Sequence, residues 1–229
     1  MEYEPLGDAD IIESWTKNAP FWTAAVRSGR IESRRQVTDR AILDVILKYS
    51  PRSVLDVGCG EGWLARRLSA TAIHVLGIDA VPEFIEEARR AGGGDFRVLS
   101  YEALAAGELQ ATVDALVCNF SLLGEKSVEG VFGVAPSLLN PRGVFIVQTV
   151  HPLAVCGDRP CRDGWREETW AGFGPGFTDP APWYFRTLAS WENLFAAGGF
   201  SLLEIRQPLH PRTRQPASLM FVAMCDRPV

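Results

Sequence analysis

Two carboxylates frame a turn made of glycines. Gly58, Gly60 and Gly62 recur at alternate positions, Asp56 stands two residues before the first of them, and Asp79 closes the next strand-like run. Glycine takes positive φ at little steric cost and lets a ligand approach the backbone closely. A turn of this kind between a buried strand and a helix makes a cradle for a nucleotide-like ligand. The details choose among such cradles. A dinucleotide fingerprint needs a glycine where Trp63 stands, and a P-loop needs Gly-Lys-Ser/Thr, so neither is present. Asp56 is badly placed for a pyrophosphate and well placed for an ammonium group. Asp79 lies close to the separation at which a strand-end acid meets a ribose diol.

Ammonium plus ribose without pyrophosphate points to S-adenosylmethionine (SAM), with S-adenosylhomocysteine (SAH) as the spent form. The run VLDVGCGEGWLARRL followed by VLGIDA resembles the class I SAM-dependent methyltransferases, in particular the small bacterial ones of the type 11/12 core. The likeness runs over about residues 53–149 and more loosely to the C-terminus. It implies a Rossmann-like α/β fold: a doubly wound, mostly parallel seven-stranded sheet with an antiparallel last strand. On this resemblance Cys59, Trp63 and Ala80 join the acids and glycines as cofactor-binding candidates. Ser100 and Tyr101 stand where the family usually has an acid-containing loop touching adenine. Asn119 and Phe120 end the fourth strand and are candidates to flank the methionine moiety. Arg34 or Arg35, in the N-terminal segment, is a candidate partner for the methionine carboxylate.

The elements that must position these residues follow from pattern. Val54, Leu55 and Val57 suit a parallel strand covered on both faces, and a helix is expected from about Glu61. Strands are expected at 73–78, 95–99, 113–120 and 144–149. Helices are expected at 82–91, opened by Pro82 and closed by glycines, and at 128–139. Residues 1–50 read as a helical lid or cap, with Trp15, Phe21 and Trp22 as lid aromatics, ahead of a SAM-binding domain at 51–229. Between about 151 and 186 the alternation breaks into a stretch rich in Gly, Pro and aromatics. Length without helix and with many large rings argues for a functional insertion, partly an extra β-hairpin, on the substrate side of the sheet edge. A helix at 187–197 and strands at 200–206 and 218–224 close the chain.

Methyl transfer from a sulfonium is an in-line displacement, so alignment supplies much of the rate and a general base is optional. His151 directly follows the fifth strand and is the candidate base, or else a capping residue. Trp22, Trp165, Trp170, Tyr184 and His210 join it as candidate substrate contacts. His74, inside a strand, reads as structural.

The chain has 229 residues, 47% hydrophobic and 22% charged, with net charge −5. Those proportions belong to a soluble globular protein, and no block of like charge suggests a nucleic-acid partner. No run approaches a membrane span and the N-terminus lacks a secretory pattern. Five scattered cysteines fit a reduced, cytoplasmic setting. His151, Cys156 and Cys161 lack a visible fourth ligand, so no metal is expected. The function expected is methylation of a small apolar or aromatic acceptor, oxygen slightly favoured, by a monomer or homodimer. The alternatives are an RNA or protein methyltransferase and a non-catalytic SAM-binding sensor or assembly protein.

Overall fold

A computed structural model describes residues 7–157, 161–167 and 169–226. Nine strands are described, β1 (Ser53–Val57), β2 (His74–Asp79), β3 (Asp95–Val98), β4 (Val113–Asn119), β5 (Leu139–Thr149), β6 (Gly164–Glu167), β7 (Pro182–Phe185), β8 (Phe200–Arg206) and β9 (Leu219–Cys225). Seven of them form one sheet in the order β3-β2-β1-β4-β5-β9-β8. The first five are parallel, whereas β9 runs antiparallel to both β5 and β8. The order reverses between β1 and β4, and that crevice is where open α/β sheets take their ligands. The glycine turn lies directly at it.

Helices cover both faces because the central strands are apolar on both. Helices α2 (Asp39–Lys48), α3 (Trp63–Ser69) and α4 (Pro82–Ala91) bury Ile42, Ile46, Leu64, Leu68 and Ile85 against Val54, Val75, Val117 and Ile146. On the other face, α6 (Lys126–Val134) and α8 (Leu188–Ala197) bury Phe132, Trp191 and Phe195 against Phe145 and Phe221. The short α5 (Tyr101–Ala105) follows β3. The expected helix at 128–139 is instead α6 continued as a 3-10 turn over Ala135–Leu138, where Pro136 interrupts the α ladder.

Helix α1 (Asp8–Arg27) precedes this core and lies over the C-terminal edge of the sheet, with a π-turn at Arg34–Thr38 leading into α2. Its residues Asp8, Ile11, Ile12, Trp15, Trp22 and Val26 share one face, spaced as a 3.6-residue period requires. The stretch after β5 contains α7 (Pro152–Cys156) and the expected hairpin, β6 pairing antiparallel with β7. Its rings pack on α1: Trp170 lies edge-on to Trp15 with centroids 5.1 Å apart, and Phe173 meets Trp22 at 5.6 Å. Asn18 of α1 donates to the Thr178 carbonyl at 2.8 Å and accepts from the Thr178 amide at 3.0 Å.

The cysteines depart from the expectation of free thiols. Cys156 and Cys161 form a disulfide, while Cys59, Cys118 and Cys225 are free. Cysteines five residues apart in sequence lie close enough along the chain to pair, which their scattered look did not reveal. Among the described residues no group of side chains could hold a metal ion, and no helix is long and apolar enough to cross a membrane.

Candidate functional site

Sheet edge, α1 and insertion enclose one cavity of about 480 Å³. The glycine turn forms its floor. Gly58, Gly60 and Gly62 all have positive φ. At Gly58 a Cβ would lie 2.3 Å from Ser121 Cβ and 2.8 Å from Tyr101 Oη, so only glycine fits there. Ser121 donates to the Val57 carbonyl at 2.6 Å and Tyr101 Oη to the Ser121 carbonyl at 3.0 Å, which ties the loop after β4 to the turn after β1.

Asp56 is 1% exposed and lines the cavity, and its Oδ2 has no hydrogen-bond partner among the described residues. Burial, then the neighbouring Asp79, push its carboxyl up to about 7, with Arg34 pulling the other way. A buried carboxylate oxygen without a donor is costly. A ligand cation or N–H group would relieve that cost. Asp79 accepts from the Gly60 and Val81 amides, each at 2.9 Å, which holds the turn in register with β2. Burial raises its carboxyl to about 6 while those amides hold it back.

Cys59, Trp63, Ala80, Tyr101, Asn119 and Phe120 also line the cavity. Burial, then Asp56 and Asp79, push the Cys59 thiol up, so it is a packing group rather than a nucleophile. Asn119 Oδ1 is a second buried oxygen without a donor. Phe120 takes a positive φ, and its amide donates to the Gln148 carbonyl at 2.8 Å, a strained corner at the end of β4. Of the two arginines, Arg34 reaches the cavity and Arg35 is exposed away from it. The Arg34 guanidinium pairs with Asp39 at 2.9 Å and lies 5.0 Å from the Trp63 ring centroid and 5.7 Å from that of Trp22.

Five expected site residues lie elsewhere. Ser100 is the N-cap of α5, accepting from the Ala103 amide at 3.2 Å, so its oxygen is committed to the helix. His151 is buried and caps α7: its Nδ1 accepts from the Leu153 amide at 3.1 Å. Burial lowers its pKa, opposed by a hydrogen bond with Gln207. The cavity is lined by its neighbour Val150 and not by His151. His210 turns its Nδ1 to the Arg212 and Thr213 amides, both at 3.3 Å, in a loop away from the cavity. Trp165 stacks edge-on to Tyr184 at 5.6 Å across the hairpin, outside the cavity. Tyr184 is likewise outside it; Trp183, one residue earlier and therefore on the opposite face of β7, lines it with Trp15, Trp22, Trp170 and Phe173.

The structure also adds residues that the sequence reading did not single out. Glu61, in the glycine turn, is 2% exposed and pairs with Arg27 of α1 at 2.9 Å and with Arg66 of α3 at 2.6 Å. At the other end of α1, Asp8 accepts from the Glu125 and Ser127 amides at 2.9 and 2.7 Å, capping α6 from a distance. Buried Arg186 donates to the Gly124 and Glu125 carbonyls, each at 2.7 Å. Helix α1 is therefore pinned at both ends to loops that line the cavity. A periodic acid-plus-apolar face on α1 was a signal for Asp8; nothing local pairs Arg27 with Glu61.

Residues 54–143 match the model of a methyltransferase domain family. Among curated relatives, ubiquinone biosynthesis O-methyltransferase of Xylella fastidiosa is 38% identical over 117 residues, 48% of this chain and 47% of that protein. Its counterpart in Xanthomonas campestris pv. campestris is 34% identical over 103 residues, 43% of each chain. The chain thus spans about half the length of the curated relatives it matches. Magnesium protoporphyrin IX methyltransferase from Synechocystis PCC 6803, solved with bound SAH, has a TM-score of 0.67 at 17% identity, covering 95% of this chain and 99% of that one. A SAM-dependent methyltransferase from Mesorhizobium loti has a TM-score of 0.60 at 20% identity, covering 79% and 96%. Residues 54–143 are thus similar to a methyltransferase domain, and the fold is the one shared with solved SAM-dependent methyltransferases.

Proposed function

We propose that this chain is a SAM-dependent methyltransferase acting on a small apolar or aromatic acceptor, with oxygen the favoured atom. The observation that carries the reading is the buried, donor-less Oδ2 of Asp56 beside a glycine cradle that a Cβ at Gly58 would fill. In this reading Asp56 takes the ligand's ammonium group, Asp79 its ribose hydroxyls and Arg34 its carboxylate. Tyr101 lies on the adenine side, and Asn119 and Phe120 flank the methionine chain. When bound, SAM supplies an activated methyl group on a sulfonium leaving group.

The chain's own residues then have to align the acceptor and exclude water, which supports catalysis without a dedicated base. Two pinned ends of α1 and the ring cluster of the insertion suit that task. The volume of about 480 Å³ lies in the range of small-molecule sites and suits a small acceptor better than a folded RNA or protein. Oxygen is favoured by the names of the curated relatives, both O-methyltransferases. A cytoplasmic enzyme without a nucleic-acid partner goes with this reading.

The test is incubation with methyl-labelled SAM and a panel of phenols and catechols. Label in an ether product supports the reading. Tight SAH binding with no transfer to any member of the panel would favour the non-catalytic, cofactor-binding alternative.

A further inference from the structure

We propose that the acceptor part of this cavity selects aromatic molecules that are uncharged or cationic and carry an N–H or O–H group, and turns away aromatic carboxylates. The inference rests on the methyltransferase reading and names its substrate class. Two features carry it.

The first is charge. Among the described residues, Asp8, Asp56, Glu61, Asp79 and Glu102 line the cavity with carboxyl groups, and Arg34 alone brings a guanidinium. Arg34 is already paired with Asp39 and stacked on Trp63 and Trp22, and the methionine carboxylate is its remaining partner. An anionic acceptor would find no free cation in the wall. Glu61 is neutralised by Arg27 and Arg66 and Asp8 is held by the α6 amides, so the acids that an anionic acceptor would meet are Asp79, the Asp56 carboxyl beside it and Glu102.

The second is the ring wall. Trp22, Trp170, Phe173 and Trp183 come from the lid and the insertion, and all line the cavity. Trp170 and Phe173 sit edge to face with centroids 5.7 Å apart, and Phe173 is tilted on Trp22 at 5.6 Å. Aromatic faces carry negative potential, so they attract cations and polarised N–H or O–H edges and repel anions.

The test uses three probes that share one ring and differ in charge: indole, tryptamine and indole-3-acetate. Each is titrated calorimetrically into the wild-type protein saturated with SAH. The expected result is that tryptamine binds at least about tenfold more tightly than indole-3-acetate, with indole between them. Equal or tighter binding of indole-3-acetate would overturn the proposal, and so would failure of all three to bind. Glu102→Lys changes an exposed side chain at the cavity rim and is not expected to disturb the fold. It should narrow the tryptamine preference by about threefold. An unchanged preference, with SAH affinity intact, would refute the electrostatic origin. Failure of SAH itself to bind would instead sink the methyltransferase reading.

Discussion

Arg27 at the end of α1 lies 2.9 Å from the carboxylate of Glu61 in the glycine turn, and the same carboxylate is held by Arg66 at 2.6 Å. The turn that would hold the cofactor and the helix that covers it therefore share one buried acid. Glu61→Gln takes the carboxylate partner from Arg66 and one of two from Arg27, which keeps Glu87 at 2.9 Å, and is expected to cost about 1–3 kcal/mol in urea unfolding, because removing one member of a buried pair weakens what the others hold. Arg27→Ala, half-exposed, should cost little stability but speed SAH release by loosening the lid, as stopped-flow dissociation would record. An unchanged release rate would detach α1 from any gating role.

Stability and cofactor affinity should depend on pH in opposite directions. Asp56 and Asp79 have folded-state values raised to about 7 and about 6, above the ordinary carboxylate range. Between roughly pH 4 and 7 the folded chain then holds more protons than the unfolded one, so stability falls as pH rises through that window and levels off above it. Affinity for SAH runs the other way, because its ammonium group requires ionised Asp56. Titrations between pH 5.5 and 8 should show affinity rising by up to about tenfold per unit below 7. A flat profile would contradict the pairing.

His151→Ala is expected to leave cofactor affinity and turnover nearly unchanged. The imidazole accepts an amide hydrogen at the start of α7 rather than facing the cavity. The loss should appear as about 0.5–2 kcal/mol of stability, the usual worth of a helix cap. A large fall in turnover with unchanged stability would restore the general-base role.

The glycines of the turn should not be equivalent. Gly58→Ala drives a Cβ into Ser121 and Tyr101, which should cost about 2–4 kcal/mol in thermal or urea unfolding. Gly60→Ala meets nothing closer than Trp22 Nε1 at 3.8 Å and should cost about 1 kcal/mol for its left-handed φ alone. Equal costs at the two positions would mean that the loop after β4 is not locked against the turn.

How far the sequence could be read depended on the range of each signal. The turn from Asp56 to Gly62 and the strand ending in Asp79 were legible because their chemistry is local: apolar strand, glycine corner, acid at a strand end. The hairpin β6–β7 was legible from ring density and missing helical period. Side-chain direction was the weak point. His151 and Val150 are neighbours after one strand, yet Val150 lines the cavity; Trp183 and Tyr184 are neighbours on β7, yet Trp183 does. Alternation along β7 decides the second case, and its phase is set by pairing partners that a single sequence does not show. Ser100 was readable as an N-cap from its position before α5, but the family pattern drew it towards adenine. The pairs Arg27–Glu61 and Asp8 with the α6 amides are tertiary and have no local signature.

The most direct test of the account is calorimetric titration of wild type and Asp56→Asn with SAM, SAH and NADH. The account predicts micromolar binding of SAM and SAH and none of NADH by the wild type. In Asp56→Asn it predicts affinity reduced by about thirtyfold or more, alongside a fold no less stable at pH 8, because a buried carboxylate without a donor has been removed. Binding of NADH, or unaltered SAH affinity in Asp56→Asn, would contradict it.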